Sequence, residues 1–153
     1  MIGFDFKTPI CGVDEAGRGP VLGPLVVAAV SAPDQESLRA LGVKDSKELS
    51  RARRETIYRD IVSSFPYRVV IREAMQIDID RQTMSLNELE IMMFADAAGP
   101  LSANRVYADC ADVDEFSFGQ RLRSMLPAGT EVVSRHKADR DFPVVSAASI
   151  VAK

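Results

Sequence analysis

The stretch Pro9-Ile10-Cys11-Gly12-Val13-Asp14-Glu15-Ala16-Gly17-Arg18-Gly19-Pro20, continued by the apolar run from Val21 to Ala32, decides the fold. Pro9 to Val13 reads as a buried strand, because it is short, apolar and bounded by turn residues. Gly17, Gly19 and Pro20 break it and turn the chain. Val21 to Ala32 is a second apolar, β-branched run, so the two form a hairpin. Further along, the periodicity changes. Glu36 to Leu41 fits a helical turn or two, and Gly42 to Leu49 is polar and loop-like. Ser50 stands at an N-cap before a helix over Arg51 to Phe65, which Pro66 ends. Tyr67 to Glu73 alternates as a third strand. Ser85 with Glu88 makes a capping box for a helix through Leu86, Leu89, Met92, Met93 and Ala97, closed by Gly99-Pro100. Arg105 to Cys110 is a fourth strand. Val113 to Leu126 is a helix with Phe116, Leu122 and Met125 as core contacts. Thr130 to Ser134 is a fifth strand, and Val144 to Lys153 a helix beginning near Ser146. A hairpin followed by strand–helix alternation predicts an α/β fold, a mixed five-stranded sheet flanked by helices.

Composition narrows the function classes. The 153 residues are 46% hydrophobic and 27% charged, which excludes global disorder. The longest apolar run is interrupted by Gly23 and Pro24 and falls short of the roughly 20 residues of a membrane-spanning helix. The N-terminus lacks a signal-peptide pattern, so a cytoplasmic protein with no membrane association is expected. Net charge is −3, which excludes a strongly basic histone-like binder. Its distribution is uneven, however. Arg39 to Glu73 holds nine of the 19 basic but only five of the 22 acidic residues. That asymmetry suits a phosphate backbone on one side and metal ions on another, although solvated helix faces produce the same pattern.

Two cysteines and one histidine, His136, are too few for a four-ligand structural zinc site. Cys11 and Cys110 lie in strand-like runs. Should Asp14 and Asp109 be level on adjacent parallel strands, the thiols share a face but are offset by four residues, roughly 13 Å at about 3.3 Å per residue. A disulfide requires about 7 Å or less between Cα atoms, so free, buried thiols are expected.

The chemistry gathers at the strand ends. Asp14 and Glu15 directly follow an apolar strand, where a charge is costly unless paired or bound to a metal. Tyr107-Ala108-Asp109 repeats the arrangement on the fourth strand. Asp112 and Asp114 fall where a helix start places them. Converging carboxylates without Cys or His favour hard cations, Mg²⁺ or Mn²⁺. A pair of such ions activates water for phosphodiester hydrolysis. Isolated cations in loops, Arg18 between its glycines, Lys47 and Lys137, are candidate phosphate contacts, and each is also an ordinary surface charge.

These residues carry a resemblance. Gly12 to Pro24 (GVDEAGRGPVLGP) resembles the opening signature of the type 2 ribonucleases H (ribonuclease HII). Asp45-Ser46-Lys47-Glu48-Leu49 resembles a later loop of that family. Asn87-Glu88-Leu89-Glu90, Tyr107-Ala108-Asp109, Lys137-Ala138-Asp139 and Val144 to Lys153 resemble further blocks in the same order, in the style of archaeal members. The resemblance implies an RNase H-like sheet in which the first and fourth strands are neighbours. It implies an endoribonuclease that cleaves the RNA strand of RNA/DNA hybrids and nicks 5′ of single ribonucleotides in duplex DNA by two-metal-ion catalysis, acting as a monomer. It assigns Asp14, Glu15 and Asp109 as catalytic metal ligands for Mg²⁺ or Mn²⁺. It gives Gly17, Arg18 and Gly19 contact with the ribose 2′-hydroxyl and its phosphates, and places Lys47 and Lys137 near the backbone. It puts the fourth catalytic aspartate, and a substrate-binding helical segment, beyond Lys153. Residues 1–153 are then a single RNase H-like catalytic domain, incomplete at the C-terminus. Two other readings are a catalytically silent hybrid-binding fragment and an unrelated phosphomonoester hydrolase on the same sheet.

Overall fold

The computed structural model describes residues 8–16, 23–43, 48–110 and 112–153. Five strands form one mixed sheet: β1 (Ile10–Ala16), β2 (Leu25–Ala32), β3 (Tyr67–Arg72), β4 (Arg105–Asp109) and β5 (Glu131–Arg135), in the order β3-β2-β1-β4-β5. The expected hairpin pairs β1 and β2 antiparallel, from Ile10 opposite Ala32 to Ala16 opposite Val26. β3 extends it antiparallel, whereas β4 runs parallel to β1 and β5 parallel to β4. The first and fourth strands are therefore neighbours, in the mixed arrangement expected from the sequence.

Seven α-helices occur among the described residues: α1 (Gln35–Arg39), α2 (Arg51–Ser64), α3 (Ala74–Asp80), α4 (Leu86–Ala98), α5 (Glu115–Ser124), α6 (Ala138–Asp141) and α7 (Pro143–Ala152). Alternation along the strands divides them between two faces. Cys11, Val13, Val27, Ala29, Val106 and Ala108 pack with α4 and α5, where Phe94 and Phe118 meet edge to face at 5.6 Å. Ala28, Val30 and Ala32 pack with α1, α2 and α7 on the other face. No helix of the described residues is long and apolar enough to cross a membrane.

Helix starts follow their caps. Ser50 accepts from the Arg53 N–H, Ser85 from the Glu88 N–H at 3.1 Å, and Asp114 from the Ser117 N–H. The cap at Asp114 moves the fifth helix's start past Val113. Its inward positions are Leu122, as expected, and Phe118, with Leu126 buried just beyond. Phe116, expected in the core, is 76% exposed, and Met125, also expected there, is 47% exposed. The last helix begins not near Ser146 but at Pro143, a residue suited to a first helical turn because it needs no N–H partner there. Every residue of α7 is buried. Its small side chains let it lie along β1, and Gly12 completes the fit: a Cβ there would sit 2.1 Å from the Val144 carbonyl oxygen. Both cysteines are buried and free, as expected.

Candidate metal centre

The β1–β4 register determines where the carboxylates meet. Ile10 pairs with Arg105 and Val13 with Ala108, so the next step sets Asp14 level with Asp109, the last residue of β4. Alternation turns Asp14 away from the Cys11–Val13 face toward the side that α7 covers. A third carboxylate joins them. Asp139 is the second residue of α6, four residues beyond the end of β5. One oxygen from each of Asp14, Asp109 and Asp139 lies within 4.8 Å of the others.

Burial and like charge make this cluster electrostatically expensive. Asp14 is only 6% exposed. Loss of water raises its pKa to about 8, helped by the charges of Asp109 and Asp139, and opposed by the Glu15 N–H and Lys153. That N–H donates to Asp14 Oδ1 at 2.7 Å. Asp109 is raised to about 7, first by burial, then by the charge of Asp139 and a side-chain hydrogen bond with it, then by the charge of Glu15. The Asp139 N–H opposes this by donating to the Asp109 carboxylate. Three oxygen donors at this spacing, in a pocket that penalises their negative charge, fit a hard divalent cation.

The sequence-derived site is thus partly assembled here and partly extended. Asp14 and Asp109 converge. Glu15 follows Asp14 in β1 and its charge reaches Asp109, but its carboxylate is not one of the three within 4.8 Å. Lys137 is exposed, immediately before α6, with a left-handed backbone (φ 56°). Gly17, Arg18, Gly19 and Lys47 lie outside the described residues. Sequence reasoning misses Asp139 and instead puts a further carboxylate beyond Lys153. The structure adds Asp139 to Asp14 and Asp109 as a third candidate ligand. Asp139 sits four residues past the C-terminal end of parallel β5, whereas Asp109 is the last residue of β4, so no apolar strand run leads directly into it.

A sequence model of the ribonuclease HII family matches residues 11–153. Ribonuclease HII of Methanospirillum hungatei is 51% identical over 144 residues, covering 94% of this chain and 68% of that protein. Among solved structures, the complex of PCNA with RNase HII from Archaeoglobus fulgidus superimposes with a TM-score of 0.87 at 38% identity, over 94% of this chain and 69% of the other. A Bst-RNase HIII in complex with Mn²⁺ superimposes with a TM-score of 0.72 at 26% identity, over 96% and 51%.

Proposed function

The chain belongs to the ribonuclease HII family, and from that premise we propose that its strand-end carboxylates serve an endoribonuclease acting on RNA paired with DNA. The substrate is the RNA strand of an RNA/DNA hybrid, or a duplex DNA carrying one ribonucleotide, nicked on its 5′ side by two-metal-ion catalysis in the cytoplasm by a monomer. The observation that carries this reading is the convergence of Asp14, Asp109 and Asp139 at one end of the sheet.

Mg²⁺ or Mn²⁺ bound there supplies the Lewis acid and the activated water that phosphodiester hydrolysis needs. The chain's own part is to hold and orient. Asp14, Asp109 and Asp139 provide oxygen ligands from three different elements, so their spacing is fixed by the sheet register and by α6. Glu15, next to the cluster, adds a fourth carboxylate. The raised pKa values of Asp14 and Asp109 mean that a cation must displace protons to bind, so affinity grows as pH rises toward 8. Gly17, Arg18 and Gly19 read the 2′-hydroxyl, the group that distinguishes RNA from DNA. Lys47 and Lys137 contact the phosphate backbone. The presence of Asp139 beside Asp14 and Asp109 favours catalysis over the silent hybrid-binding reading.

The test is cleavage of a duplex DNA carrying one ribonucleotide, with Mg²⁺ and then Mn²⁺. The chain should cut 5′ of the ribonucleotide. Asp14→Asn and Asp139→Asn should each lower the rate by about 10²–10³, the usual cost of losing one group that stabilises transition-state charge. Binding of the duplex without any cleavage in either metal would refute the catalytic reading.

A further inference from the structure

We infer that Glu115 and His136 are positioning residues that set Asp139 against Asp109, an inference that rests on the reading of Asp139 as a metal ligand. Asp14 and Asp109 are placed by a strand ladder, but Asp139 is not. It rides on α6, a helix of four residues whose N-cap, Lys137, offers no side-chain hydrogen bond. Lys137 also holds a left-handed backbone, φ 56°, which a side chain with a Cβ adopts only when its surroundings impose it. The surroundings must therefore fix this turn from both sides.

Downstream, the anchor is internal. Ala138 is fully buried, the Phe142 N–H donates to the Ala138 carbonyl at 2.9 Å, and the Ser146 hydroxyl donates to the Asp139 carbonyl. Upstream, the anchor comes from the loop that leaves β4. The His136 N–H donates to Glu115 Oε2 at 2.6 Å. The His136 ring bonds through Nε2 to the Asp112 carbonyl, so Nε2 carries the proton and Nδ1 faces Glu115 Oε2 at 3.6 Å. The Cys110 N–H donates to the Arg135 carbonyl at 2.9 Å, and the Cys110 thiol to the Asp112 carbonyl at 3.2 Å. Glu115 opens α5, which follows the β4 strand that ends in Asp109. The segment carrying Asp109 is thereby lashed to the segment carrying Asp139, one residue before the strained turn. Both side chains are about half exposed, so neither bond is needed to fill the core.

Mn²⁺ titration of the whole chain, followed by calorimetry, tests this directly. Glu115→Ala should weaken Mn²⁺ binding about tenfold, the low end of the range for partners that orient metal ligands. Glu115→Gln, whose amide oxygen still accepts the His136 N–H, should recover most of the affinity. In an Asp139→Asn background Glu115→Ala should have no further effect, because the ligand it positions is gone. Melting in chelator should move by only a few degrees. Unchanged Mn²⁺ affinity in Glu115→Ala overturns the proposal, and so does a Gln variant as weak as the Ala variant. The two readings separate cleanly. If Asp139→Asn itself binds Mn²⁺ normally, the assignment of Asp139 as ligand fails. If only Glu115→Ala is neutral, the positioning role alone fails.

Discussion

Asp14→Asn should stabilise the metal-free chain and weaken the stabilisation that a divalent cation brings. Asp14 ordinarily titrates near 3.8, but in the fold its pKa rises to about 8. Between those values the unfolded chain has lost the proton and the folded chain still holds it. Folding stability therefore falls as pH rises from about 4 to about 8, and the slope ends above 8, where both forms are ionised. At pH 7 the folded carboxyl has been kept neutral across about three units. At about 1.36 kcal/mol per unit this is a penalty on the order of 4 kcal/mol. Asparagine removes the titration while its Oδ1 still accepts the Glu15 N–H. In chelator at pH 7 the variant should be more stable by up to about 4 kcal/mol, on the order of 10 °C in melting temperature for a chain of this size. The two proteins should nearly converge at pH 4. Saturating Mn²⁺ should narrow the gap: the parent gains about 2.7 kcal/mol at a hundredfold excess over Kd, and the variant gains less. Thermal melts at pH 4, 5.5, 7 and 8, with EDTA and with Mn²⁺, read all of this. A variant with the parent's pH slope in EDTA would refute the electrostatic account of the cluster.

Three further expectations concern the frame around the site. Gly12→Ala forces a Cβ into the Val144 carbonyl and should cost about 3 kcal/mol or more, seen as a large drop in the urea midpoint by circular dichroism. Cys11 is fully buried, its thiol pushed up to about 12 by loss of water, so it should not react with a disulfide reagent at pH 8 until the chain is unfolded. Mass spectrometry of labelled native protein should show Cys11 unmodified, and a modified Cys11 would contradict its burial. Ser85→Ala removes the acceptor for the Glu88 N–H and should cost about 1 kcal/mol in the same urea titration.

Those features that sequence made legible were the ones encoded over a few neighbouring residues. The apolar hairpin, the Ser50 and Ser85 caps and the strand alternation each have a local signature, and each is present. Helix α3 has none. It buries no residue, its Met75 and Ile79 are exposed, and Glu73 offers no side-chain cap, so no apolar stripe marked it. Phe116 and Met125 went astray for a different reason. At about 100° per residue, Phe116 stands about 200° round the helix from Phe118, so it cannot share the face of Phe118 and Leu122. Met125 lies just past the helix's last residue, Ser124.

Asp139 shows what separates a readable site residue from an unreadable one. Asp14 and Asp109 announce themselves because each follows a run of apolar strand residues, where a charge is conspicuous. Asp139 comes soon after Arg135, His136 and Lys137, an exposed polar run in which one more charge is unremarkable. Its significance comes from the topology. Parallel β5 ends beside β4, with Asp109 opposite Arg135, and the chain must turn there before α7 can pass along β1. Any residue in that turn is delivered to the same end of the sheet as Asp14 and Asp109. Ala138 goes to the interior, since its methyl is fully buried, and the residue after it meets the carboxylates. The short connection between the last strand and the last helix brings the third carboxylate to the candidate cluster, and the precision of that cluster rests on whatever holds the connection still.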